Sequence, residues 1–220
     1  MRSVKTFPKY IMVTAILASF SVTSPHAFAA DAQNGPMSLA ILGALGSLGF
    51  ACYQGKAPCS LSPGINTDQL TFSLDLGEDS TLKHARIALG ANWQEKIYEA
   101  NSWEIAGRWE VNLNHWDSTL SNPDQDIGYM IGITPVFHYQ LKNRAITPFI
   151  EMGGGPQLLS NVTVENEFKS TQFQFGSIFG LGVKTADFEV GYRYLHISNA
   201  GIEMPNPGTD FHNIHVGYYF

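Results

Sequence analysis

The chain is short of charge, of cysteine and of long apolar runs. Of its 220 residues only 15% are charged, and acidic residues outnumber basic ones 19 to 13. The resulting net charge of −6 excludes the basic surface that a nucleic-acid partner requires. Cys52 and Cys59 are the only cysteines, in the run Cys-Tyr-Gln-Gly-Lys-Ala-Pro-Cys, so a multi-disulfide scaffold is excluded. In an oxidising compartment one small-loop disulfide is the default reading. No His or Asp cluster lies beside the pair to make it catalytic or metal-binding. What the chain does have is 44% hydrophobic residues, 12% aromatics and 21 glycines. That is too apolar for a disordered chain and suits a β-rich protein whose surface need not all be wet.

The first 29 residues read as a secretory signal rather than as part of the fold. Arg2, Lys5 and Lys9 form a positive n-region, Ile11 to Val22 an apolar core, and Ala27-Phe28-Ala29 a cleavage site. Residues 30–67 read as an N-terminal extension and linker. Within it Met37 to Tyr53 is apolar, slightly short of the about 20 residues of a transmembrane helix, and carries Gly43, Gly46 and Gly49. A helix that caps or plugs something and a segment lying at a membrane interface both fit it. Gly49-Phe50-Ala51 fits a lipoprotein signal before Cys52 poorly. Ser60 to Thr67, with Pro63-Gly64, reads as linker.

From residue 68 to 220 the hydrophobic period is two. Leu70, Phe72, Leu74 and Leu76 alternate with Thr71, Ser73 and Asp75, and the same alternation recurs around 87–93, 103–113, 127–139, 146–153, 173–183, 188–194 and 214–220. Eight strands of this length fit a closed antiparallel meander. Aromatics stand near strand ends, among them Trp93, Trp103, Tyr139 and Tyr218. The opposite face is small or ionic: Asp75, Arg86, Glu104, Arg108, Glu110, Glu151, Lys184, Glu189 and Arg193. Apolar-out and polar-in is the pattern of a transmembrane barrel, and an eight-stranded one is filled by side chains. The rival, a soluble lipocalin-like barrel, would turn the apolar face inward. The closing Tyr218-Tyr219-Phe220 resembles the C-terminal signal of bacterial outer-membrane proteins. The expected fold is therefore an all-β, eight-stranded outer-membrane barrel over residues 68–220.

His196 and Ser198 stand two apart at the end of the seventh strand. Strand rise places their Cα atoms about 6.6 Å apart on one face, within reach for an imidazole to take a hydroxyl proton. Their parity is that of Phe188, Val190, Tyr192 and Tyr194, the outward face. Polar groups on a lipid-facing wall are costly unless used or paired, so a catalytic pair there would act on a membrane lipid. A solvated strand end is the other reading of the pair.

The composite His196-Ile197-Ser198-Asn199-Ala200-Gly201, then Pro205-Asn206-Pro207-Gly208, then a last strand ending in an aromatic, resembles the active-site region of the PagL outer-membrane lipid A 3-O-deacylases. Pro148 to Gly155 resembles that family's fifth-strand segment. The resemblance covers about residues 68–220. It implies hydrolysis of the 3-position ester of lipid A, with Ser198 as nucleophile and His196 as general base, and a lipopolysaccharide substrate in the outer membrane. The family's acid is a glutamate; the position matching it by spacing is Asp210, one methylene shorter, with Glu203 as the alternative acid. Backbone amides around Asn199 to Gly201, with the Asn199 or Asn206 side chain, are the candidate oxyanion donors. This chemistry needs no metal or other cofactor. His212 and His215, three apart on a strand, face opposite sides, and Asp124 and Asp126 read as a turn. Two alternatives remain: an outer-membrane phospholipase or other esterase, and a non-enzymatic structural or adhesive barrel. The aromatic outer faces would serve lipid and equally a homodimer.

Overall fold

The computed structural model describes residues 35–60 and 64–220. The signal-peptide expectation at residues 1–29 lies outside the described residues. One helix, α1 (Gly35–Tyr53), precedes the strands β1 (Ile65–Asp79), β2 (Leu82–Trp93), β3 (Tyr98–Glu99), β4 (Trp103–Ser118), β5 (Ile127–Leu141), β6 (Thr147–Leu159), β7 (Thr163–Val164), β8 (Glu167–Phe168), β9 (Phe173–Lys184), β10 (Phe188–Ser198) and β11 (Thr209–Tyr219). The long strands β1, β2, β4, β5, β6, β9, β10 and β11 pair antiparallel with their neighbours, and β11 pairs with β1, so the sheet closes. The eight strands expected from the alternation are these eight. The short β7–β8 hairpin and β3 decorate the connections.

The side-chain alternation sorts as the polarity pattern predicts. On β1, Thr71, Ser73 and Asp75 are buried while Phe72, Leu74 and Leu76 are exposed. Inside the barrel an ionic lattice fills the space. Arg193 reaches Asp75, Glu110 and Glu151; Arg86 reaches Asp75 and Glu110; Arg108 reaches Glu110 and Glu189; His215 bridges Asp75 and Glu189. Buried charges persist only when paired in this way.

Two features depart from the sequence reading. The interior is not polar throughout: Leu82, Trp116, Met130, Leu159, Ile178, Leu195, Ile197 and Phe211 form an apolar cluster toward the rim that carries the β4–β5, β6–β9 and β10–β11 loops. The second is α1, which neither caps nor plugs the barrel. It packs across β6, β9 and β10 and reaches β5. Its buried edge is Met37, Ala40, Ala44, Ser47 and Ala51, recurring at three- and four-residue intervals. Four of these five are small, which lets helix and wall approach closely. Cys52 and Cys59 are bonded, tying the last turn of α1 to the segment that follows.

Candidate active site

The site forms where the barrel's polarity code reverses. Along most of β10 apolar residues face out, but at its end Leu195 and Ile197 point into the apolar cluster. The intervening His196 and Ser198 therefore face outward. On β11 the same reversal sets Phe211 inward and Asp210 outward. Antiparallel register makes His196 and Asp210 direct cross-strand partners. Side chains of such a pair stand close enough to touch.

The contacts follow from that register. His196 Nδ1 lies 2.6 Å from Asp210 Oδ1, and His196 Nε2 lies 3.1 Å from Ser198 Oγ. The imidazole thus bridges a carboxylate and a hydroxyl in one chain. Its ring is buried, while Ser198 is half-buried. The hydroxyl of the fully buried Tyr194 faces the Asp210 carboxylate from the adjacent outward position of β10. Asp210, not Glu203, is the acid brought to the imidazole. Glu203 is exposed on the β10–β11 loop, where its backbone carbonyl accepts from Asn199 Nδ2 at 2.7 Å.

That loop is held from within and from a neighbour. Asn199, fully buried, is its hub: its backbone N–H donates to Asn206 Oδ1 (2.8 Å), and its Oδ1 accepts from the Gly201 N–H (2.9 Å). Ala200 and Gly201 both have positive φ, 55° and 76°, which turns the chain sharply back. The Asn199 and Gly201 amides, expected as oxyanion donors, are engaged in hydrogen bonds within the loop. Among the described residues, no hydrogen bond engages the Ala200 N–H or the Asn206 side-chain amino group, so these are the loop's open donors.

Lys169, between β8 and β9, went unnoticed in the sequence. Its buried Nζ donates to the carbonyls of Pro207 (3.0 Å) and Gly208 (3.3 Å) and pairs with Glu167 (2.6 Å). Burial pushes its ammonium below the usual lysine range, and Glu167 opposes that shift. Ser170 Oγ adds a bond to the Pro205 carbonyl at 2.6 Å. No local sequence signal marks Lys169 as a loop anchor, because the carbonyls it holds are nearly forty residues away. Gly208, which this clamp holds, lies directly on the His196 ring: a Cβ there would sit 2.6 Å from His196 Cε1.

Other polar candidates fall elsewhere. His215 is interior, between Asp75 and Glu189, whereas the outward His212 accepts from or donates to Tyr192 Oη across 2.6 Å. Among the described residues, no group of three or more His, Cys, Asp or Glu side chains is arranged to hold a metal ion.

A closed barrel with an apolar outer wall, bearing a hydroxyl–imidazole–carboxylate array on that wall, defines a class: a small lipid-facing barrel hydrolase. The lipid A 3-O-deacylase (PagL) family model matches residues 83–219, more than half of the chain. The chain belongs to that family. It is 26% identical over 180 residues to the lipid A deacylase PagL of Pseudomonas aeruginosa, covering 81% of this chain and 94% of that protein. It is 30% identical over 127 residues to the lipid A deacylase PagL of Bordetella bronchiseptica, covering 54% of this chain and 69% of that one. Among solved structures, that of the outer membrane enzyme PagL superposes with a TM-score of 0.58 at 25% identity, over 69% of this chain and 98% of the other. The family match begins in β2 and so does not include α1.

Proposed function

We propose that this enzyme, a lipid A 3-O-deacylase of the bacterial outer membrane, works by a Ser-His-Asp mechanism. Residues 1–29 serve as the export signal, 30–67 as an extension, and 68–220 as the deacylase domain. The observation that carries the reading is the continuous contact Asp210–His196–Ser198 on the outward wall. His196 Nε2 takes the Ser198 proton as Oγ attacks the carbonyl of the 3-O-linked acyl ester. Asp210 holds the ring in the tautomer with Nδ1–H and stabilises the imidazolium that forms. The tetrahedral oxyanion is met by the Ala200 N–H and the Asn206 amino group. Collapse transfers the proton from His196 Nε2 to the sugar oxygen, which leaves. Water, deprotonated by the same ring, then cleaves the acyl-serine and releases a 3-hydroxy fatty acid.

Two features support this reading. The long loops stand at the rim that faces outward in such barrels, and lipid A occupies that leaflet. The aspartate's shorter reach is offset by its register, directly opposite His196.

Mass spectrometry of lipid A from cells expressing the protein tests this. Wild type should remove one 3-hydroxyacyl chain, and Ser198→Ala, still folded in detergent, should remove none. Asp210→Asn should fall by on the order of 10⁴-fold, and Glu203→Gln should match wild type. Retained activity in Ser198→Ala rejects the nucleophile. Equal, unimpaired activity in Asp210→Asn and Glu203→Gln leaves a Ser-His dyad. Altered phospholipid with intact lipid A would assign the same site to a phospholipase.

A further inference from the structure

The triad has two flanks along the outer wall, and α1 covers part of one of them. Met37 and Ala40 close over Tyr194, with Tyr192 and Phe179 packed alongside. From there the helix runs across β9 and β6, away from the triad. Ser177, the β9 partner of His196, also pairs with Gly154, and a Cβ at Gly154 would sit 3.2 Å from the Ala44 Cβ. Further along, Ser47 Oγ bonds both the Gly43 carbonyl (2.6 Å) and the Tyr139 hydroxyl (2.7 Å). Ala51 and Leu48 then pack with Trp93, Ile97 and Phe137. Both ends of the helix are thus seated, and its last turn carries the Cys52–Cys59 bond. Its free face, Leu39, Leu42, Leu45 and Phe50, is apolar and suited to lipid.

On the other flank the wall is bare. Ile214 and Val216 on β11, and Leu74 and Leu76 on β1, are exposed and continuous with Asp210 through His212. Leu181 and Ile214 pair with Tyr192 from opposite sides, so they stand at equal height below the triad. Hydrocarbon has no directional preference between two apolar walls. What separates the flanks is the protein already seated on one of them.

We propose that α1 is a fixed wall of the substrate surface, and that the acyl chain whose ester meets Ser198 lies along the β11–β1 flank. This rests on the deacylase reading. The helix excludes lipid from the part of β9 and β10 that it covers, around Phe179 and Tyr194, while Phe173 and Leu181 on β9 stay exposed on either side of it, so α1 biases the orientation in which lipid A presents its ester toward the β11–β1 flank. It does so without touching the reacting atoms.

Two variants of the full chain, assayed on lipid A in detergent micelles, test it. Ala44→Cys with Gly154→Cys should cross-link α1 to β6, because the two Cβ positions are adjacent and need to part by only a few tenths of an ångström to reach the span of a disulfide. The locked enzyme should keep activity within twofold of wild type. Separately, Ile214→Trp should raise KM about fivefold or more with kcat retained, as loss of uniform binding does, and Leu76→Trp should do the same. Leu181→Trp should leave both constants unchanged. Activity lost on locking and restored by a reductant that leaves wild type unaffected would overturn the fixed wall. A raised KM in Leu181→Trp with none in Ile214→Trp and Leu76→Trp would overturn the β11–β1 approach. A wild-type protein that releases no fatty acid would reject the deacylase reading, and this inference with it.

Discussion

At the residue scale, the site depends on small side chains as much as on its reactive ones. Gly208 lies on the His196 ring, and any Cβ there meets Cε1 at 2.6 Å. Gly208→Ala should therefore tilt the imidazole away from Ser198 Oγ. Misplacing a catalytic group by about 1 Å costs on the order of 10²-fold, so kcat should fall by about 10- to 100-fold while the protein still folds. Steady-state hydrolysis alongside the heat-modifiable gel shift of the folded barrel checks both halves. His196 and Ser198 were legible in the sequence because they break an outward apolar register. Asp210 was legible only as one of two candidate acids, by its match to the family's spacing, with Glu203 the other. Tyr194 was hidden among outward aromatics, since nothing local distinguishes a phenol facing a carboxylate from one facing lipid.

At the element scale, the β10–β11 loop is shaped by Asn199 and anchored by Lys169. Lys169→Met removes the anchor, but it also removes the cost of burying an ammonium, which the lowered pKa of this lysine reflects. The two effects oppose each other in stability and not in catalysis. Turnover should drop at least about tenfold, while urea resistance should change by less than about 1 kcal/mol. A parallel loss of both would mean that Lys169 supports the barrel rather than the loop. The strands themselves were legible, because period-two alternation with two unlike faces admits few folds. The lie of α1 was not. Its composition marks it as apolar, but only the Gly154 and Met152 surface of β6 shows which wall can receive its small-residue edge.

At the scale of the whole molecule, an interior of paired charges holds the eight strands in one closed sheet. Arg193 reaches carboxylates from β1, β4 and β6, so it links strands distant around the circumference. Arg193→Leu leaves Asp75, Glu110 and Glu151 short of a partner. Breaking a buried pair from one side costs about 3–5 kcal/mol. Equilibrium urea unfolding in lipid vesicles should show a loss of that size, with residual activity in the folded fraction. The mixed signs on the inward face foretold ion pairs. Which charge meets which is set by barrel closure and shear, and these depend on all eight strands together.

The sequence by itself determined the strand count and the outward apolar belt, and it marked the His196–Ser198 pair with two candidate acids, because parity and spacing are local and survive in one dimension. The tertiary structure decided what converges from afar. It brought Asp210 opposite His196, set Lys169 under the loop, committed the Asn199 and Gly201 amides, and laid α1 on one flank of Ser198. These are matters of register, closure and packing between distant segments, and no pattern along a single strand encodes them.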